Sequence, residues 1–129
     1  MRNSATASLE EHIRFALKPD EPRLLSTYLD LCDEVVGEAP GRIKRYFYRR
    51  AYSVLIAAIE DETNPMHWRW LCLDNIYRTL QGLQRLARSA EDVREVQSCS
   101  FRMQQLSEVL MQRARPEQHK SDSTKQGDL

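Results

Sequence analysis

Glycine and proline are scarce, at 4 and 5 of 129 residues. All-β and loop-rich domains use turn residues freely, so this composition argues against both. Cysteine is scarce too. Cys32, Cys72 and Cys99 are odd in number and form no CxxC pair, which excludes a disulfide framework and a zinc ribbon. They read as small core residues in a reducing compartment. The longest uncharged, mainly apolar run is Tyr52 to Ile59, well short of the roughly 20 residues a membrane-spanning helix takes. Glu10, Glu11, His12 and Arg14 occupy the stretch where a signal peptide would place its apolar core. No excess charge of either sign exists: 19 Lys and Arg face 19 Asp and Glu. That balance argues against a strongly basic nucleic-acid binder and against an acidic disordered chain. The expectation is a soluble cytoplasmic protein of one domain, over 1–114.

Catalytic signatures are equally sparse. The three histidines, His12, His67 and His119, belong to no HExxH or ExxH pair. No Gly-rich phosphate loop and no GxSxG is present. His67 and Cys72 are five residues apart, a poor fit to one helical face. The reading is a non-enzyme, with no cofactor and no metal site.

Helical periodicity is abundant. A short helix is predicted over 9–17, with Ser8 and Glu11 forming a capping box and Lys18-Pro19 stopping it. A second spans 21–36, capped by Asp20, with Pro22 in its first turn and Gly37 as a left-handed C-cap. A third spans 41–62, its core face made by Ile43, Phe47, Ala51, Val54, Leu55 and Ala58. A fourth spans 65–88, with Asn64 capping and Pro65 opening it. Its stripe is Met66, Trp70, Leu73, Tyr77, Leu80 and Leu83. A fifth spans 90–113, boxed by Ser89 and Asp92, with Val93, Val96, Cys99, Met103, Leu106 and Leu110 inward. The connections are short, which favours antiparallel neighbours. The predicted fold is all-α: a compact antiparallel bundle of four main helices, a short N-terminal helix across one end, and a disordered tail over 115–129.

Two features stand out from this regular pattern. From Asp20 to Glu38 six acids face one base, whereas Arg42, Lys44, Arg45, Arg49 and Arg50 follow with no acid among them. The helix over 41–62 thus opens on bases and closes on Glu60, Asp61 and Glu62, against its own macrodipole. The bases pair either with the acidic helix before them or with an external anion. Arg42, Arg45, Tyr46, Arg49 and Ser53 share the face opposite the core stripe, with Arg50 at its edge. The second feature is the run MHWRWL, Met66 to Leu71, in which Trp68 and Leu71 project off the stripe. Either the helix packs on two faces, or an exposed patch binds a partner. Phe101 and Ile56 lie off their stripes as well, which suits a dimer or a heteromeric complex.

These features predict a non-catalytic protein-binding module: a sequestering or adaptor-type regulator, or a secretion-type chaperone. Its docking residues would be Arg42, Arg45, Tyr46, Arg49, Arg50, Trp68 and Leu71, meeting a protein with an acidic surface. The alternative is a nucleic-acid-binding transcriptional regulator that lays the basic 42–50 segment on phosphates, as a dimer.

Overall fold

A computed structural model describes the backbone of residues 4–127 and the side chains of residues 6–113. The elements are α1 (Ser4–Arg14), α2 (Arg23–Val36), α3 (Gly41–Glu60), α4 (Met66–Asn75), α5 (Tyr77–Leu86) and α6 (Ala90–Gly127), with no strand among the described residues. The all-α bundle expected from the periodicity is the architecture.

α1 starts earlier than its sequence pattern suggests, so Ser8 lies inside the helix and caps nothing. Its carbonyl instead contacts His12 Nδ1 at 2.8 Å. The helix stops before Pro19, at Ala16, whose φ of 49° is left-handed. Leu17 N–H donates to the His12 carbonyl and Ala16 N–H to the Ile13 carbonyl, the paired bonds of a Schellman turn. A non-glycine residue in that conformation costs about 1–2 kcal/mol, and here the Ala16 methyl is buried in the core. Distant side chains also bond the carbonyls of this helix end. Trp68 Nε1–H donates to Ile13 O at 2.9 Å, and Asn64 Nδ2–H to Arg14 O at 3.0 Å.

α2 begins after Pro22 without a side-chain cap, so Asp20 does not fill the role expected of it. Gly37 is right-handed, φ −44° and ψ −49°, and the left-handed cap expected there does not form.

α3 opens after an extended Pro40, whose carbonyl accepts from Ile43 and Lys44 N–H. Its buried line is Tyr48, Ala51, Leu55, Ile56, Ala58 and Ile59. Ile43, expected inward, is exposed, and Phe47 and Val54 are partly buried. At its C-terminus, Ala58 O accepts from Asn64 Nδ2 and Ile59 O from Nε of the buried Arg69. Asn64 therefore donates to two helix ends rather than capping α4. Every other element packs on α3, which makes it the centre of the bundle.

The single helix expected over 65–88 is two, interrupted at Ile76. The side chain of Asn75 donates to the Leu71 carbonyl at 2.8 Å and Thr79 Oγ1 to the Ile76 carbonyl at 2.7 Å. Such local side-chain bonds compete with the backbone ladder. The expected stripe holds only in part: Leu80 and Leu83 are buried, and Trp70 and Leu73 pack partly buried against the core. Trp68, Cys72, Ile76, Leu80 and Leu83 are inside, while Met66 and Tyr77 are exposed.

The box at the start of α6 forms as expected: Asp92 N–H donates to Ser89 Oγ at 3.0 Å, and Ser89 N–H to Asp92 Oδ2 at 3.2 Å. Leu106 and Leu110 anchor the helix in the core, but Val93 is exposed. The helical backbone continues to Gly127, past the end expected at Arg113. The segment 115–129, read as a tail, lies outside the residues whose side chains are described.

Candidate functional site

The basic opening of α3 is where sequence reasoning placed the working surface. Its five cations do not share one fate. Arg45 Nη1–H donates to the Leu86 carbonyl at 3.3 Å, placing a cation at the C-terminus of α5, where the helix dipole favours it. Arg49 Nε–H donates to Glu95 Oε2 on α6 at 2.7 Å, and this bond raises the guanidinium pKa. Arg50 Nε–H meets both oxygens of Glu10 on α1, at 3.0 and 2.8 Å. Glu10 is only 5% exposed and also accepts from Tyr28 Oη–H at 2.8 Å. A buried carboxylate is tolerable only with such partners, and the Tyr28–Glu10–Arg50 chain ties α2, α1 and α3 together. Burial, with Cys32 and Glu10 nearby, pushes the Tyr28 phenol pKa upward.

The acids of α2 answer a different base. Arg78 of α5 bridges Asp30 at 3.0 Å and Asp33 at 2.8 Å, and Tyr48 Oη–H donates to Asp33 Oδ1 at 3.2 Å. Intramolecular pairing across the 37–41 turn therefore does not occur among the described ion pairs. The bases of α3 pair forward and backward, with α6 and α1. The acids that close α3 are matched in the same way: Glu60 with Arg102, Asp61 with Arg14 and Glu62 with Arg113. The anti-dipole charges of α3 thus face tertiary partners at both ends.

An outward strip survives this pairing. Arg42 is exposed and makes no ion pair or hydrogen bond within the described residues. One turn on, Tyr46 is 48% exposed, its ring set edge-on to Phe47 with centroids 5.3 Å apart. Ile43 and Ser53 are exposed as well, and Arg45 and Arg49 flank the strip.

The second expected patch does not exist as a surface. Trp68 is 0% exposed, with its indole N–H spent on α1. Leu71 is partly buried against the same core. The helix packs on both sides, so no partner reaches Trp68 while the chain is folded. Ile56 is buried too, whereas Phe101 stands in solvent at 62% exposure.

Sequence reasoning missed a cleft of about 320 Å³ lined by Asp33, Val36, Lys44, Tyr48, Gly82 and Arg85. The Tyr48 ring lies flush on Gly82: a Cβ there would sit 2.7 Å from the ring. A lone glycine inside a helical pattern was the available signal.

Among the described residues no group of three or more His, Cys, Asp or Glu is placed to hold a metal ion. His12 and His67 each contact a backbone carbonyl, and His119 lies outside the described side chains. Burial raises the Cys32 thiol to about 11 and the Cys72 thiol to about 12. Thiols held that protonated are poor nucleophiles. No described helix is long and apolar enough to cross a membrane. Compared with protein-family models, curated proteins and solved structures, the chain matches none.

Proposed function

We propose that this chain is a non-catalytic protein-binding module of the cytoplasm, a regulator of sequestering or adaptor type or a secretion-type chaperone. Its docking surface is the outward strip of α3. The observation that carries the reading is Tyr46: a half-exposed aromatic ring, set edge-on to Phe47, beside an Arg42 that has no partner among the described residues. Tyr and Arg are the residue types that dominate interface energetics. Tyr46 and Ile43 supply the apolar anchor, and Arg42 steers an acidic partner with help from Arg45. Trp68, Leu71, Arg49 and Arg50 drop out of the docking set because the fold already uses them.

The nucleic-acid alternative has less support. Two of the five bases, Arg49 and Arg50, are matched by Glu95 and Glu10, which leaves few cations for phosphates on a chain of zero net charge.

The test is affinity capture from a lysate of the source organism, after nuclease treatment. The bait would be wild type, Tyr46→Ala, Arg42→Glu, and Tyr77→Ala as an exposed-tyrosine control. A protein retained by wild type and the control but lost from the Tyr46 and Arg42 variants supports the reading. Equal retention by all four overturns it. Capture that collapses with nuclease transfers the strip to the nucleic-acid reading.

A further inference from the structure

The outward face of α6 has a symmetry that no contact among the described residues explains. Phe101, the most exposed large apolar side chain described, lies at its centre. Seven residues before it is Arg94 and seven after it is Glu108, both exposed and neither in an ion pair or hydrogen bond within the described residues. Four residues to either side are Gln97 and Gln105, and eight to either side are the exposed Val93 and Val109. Residues 94, 101 and 108 are one heptad apart, and 97, 104 and 111 form the companion row. Together they form one stripe along the helix, a seam whose apolar members are Phe101 and Met111. The seam faces away from Leu106 and Leu110, which hold α6 to its own bundle.

The geometry points to a second copy of this chain as the occupant: two α6 helices pair antiparallel about a two-fold axis at Phe101. At 1.5 Å rise per residue, Arg94 and Glu108 lie about 10 Å to either side of that axis. Antiparallel pairing sets Arg94 of each copy opposite Glu108 of the other, twice, and stacks the two Phe101 rings on the axis. Parallel pairing would set Arg94 on Arg94 and Glu108 on Glu108, like charge on like, so the charge order selects one orientation. The seam is otherwise rich in glutamine, so the dimer is a weak one that responds to concentration and salt. It uses none of the residues of the α3 strip, so the two proposals fail separately.

Sedimentation velocity on the full chain, from about 1 μM to about 1 mM, tests it. Wild type rises from 15.1 kDa toward twice that mass. Arg94→Glu and Glu108→Arg each weaken association about tenfold, because each replaces two attractive contacts with two repulsive ones. The double variant, R94E with E108R, restores it. Phe101→Asp abolishes it. All three positions are exposed, and thermal melts by circular dichroism verify that each of the four variants is folded. A wild type that stays monomeric throughout overturns the proposal. So does a dimer indifferent to both single reversals, or a double variant that fails to recover.

Discussion

Replacing Gly82 by alanine puts two opposing effects on one methyl group. In the interior of a helix such as α5, Gly→Ala adds about 0.8–1 kcal/mol of stability through backbone entropy. Here the new Cβ would sit 2.7 Å from Cε1 and Cζ of Tyr48 and 2.8 Å from Cδ1. The ring cannot swing aside cheaply. It packs with Val36 and Leu83, and its hydroxyl is bonded to Asp33. Overpacking of that kind costs about 1–3 kcal/mol, and a lost Tyr48–Asp33 bond adds about 1. The expected net is a loss of about 1–3 kcal/mol. Two variants isolate the cause. Gly41→Ala, whose Cβ meets nothing nearer than Arg45 Nη1 at 3.9 Å, leaves stability unchanged or raises it by a few tenths of a kcal/mol. In a Tyr48→Ala background, Gly82→Ala becomes stabilising and recovers the propensity gain. Urea midpoints at constant slope give the four free energies, and the melting temperature follows at about 4 °C per kcal/mol. If Gly82→Ala stabilises the chain equally with and without the Tyr48 ring, the contact argument is wrong.

Other outcomes follow from the pairing scheme and the thiols. Arg50→Met removes the cation facing the buried Glu10 and costs about 2–3 kcal/mol, whereas Arg42→Met changes stability by under about 0.5; chemical denaturation of both variants checks the contrast. Asp61 is held down to about 2 by hydrogen bonds from Arg14 and then Thr63. Its contribution is therefore present above the ordinary carboxylate range and is lost as pH falls from about 4 through 2. Carboxyl NMR titration should place Asp61 near that value, and Asp61→Asn should flatten this part of the acid-denaturation curve. A thiol reagent should modify Cys99, which is partly exposed, while Cys32 and Cys72 react only after urea unfolding; modification of all three at one rate in native buffer would contradict their burial.

Much of the fold was readable because caps and periodicity agreed with tertiary structure in several places. Ser89 and Asp92 form their box, and the inward row of α3 includes the expected Ala51, Leu55 and Ala58. The misreadings have definite causes. In MHWRWL apolar residues fall on two faces at once, so periodicity alone could not choose between the Met66–Trp70 row and the Trp68–Cys72 row. In the fold the Trp68–Cys72 row is the buried one, and the Trp68 indole donates to the Ile13 carbonyl of α1. The break at Ile76 depends on where Asn75 and Thr79 send their side-chain bonds, which no spacing rule reveals. The α3 strip was visible as a helical face, and Arg42 and Tyr46 are on it. What the sequence could not show is that Arg50 finds its partner 40 residues upstream and Arg49 finds its own on α6. Charge pairing between distant segments follows from packing, and adjacency along the chain suggested the wrong acids.

The reversed charges of α3 bear on how the chain acquires its structure. A peptide cut to residues 41–60 would carry bases at the end that prefers acids, and so would form little helix by itself. Its stability comes from burying Ala51, Leu55, Ala58 and Ile59 against the other helices, and its reversed charges are met by Glu10, Glu95 and Arg102, contributed by segments synthesised before and after it. The central helix is thus a product of assembly rather than a seed for it. A nascent chain released only as far as α5 still lacks Glu95 and Arg102, so α3 becomes fully secured only when α6 docks. Folding of this kind is strongly cooperative, because loosening any one neighbour is felt through α3 by all the others.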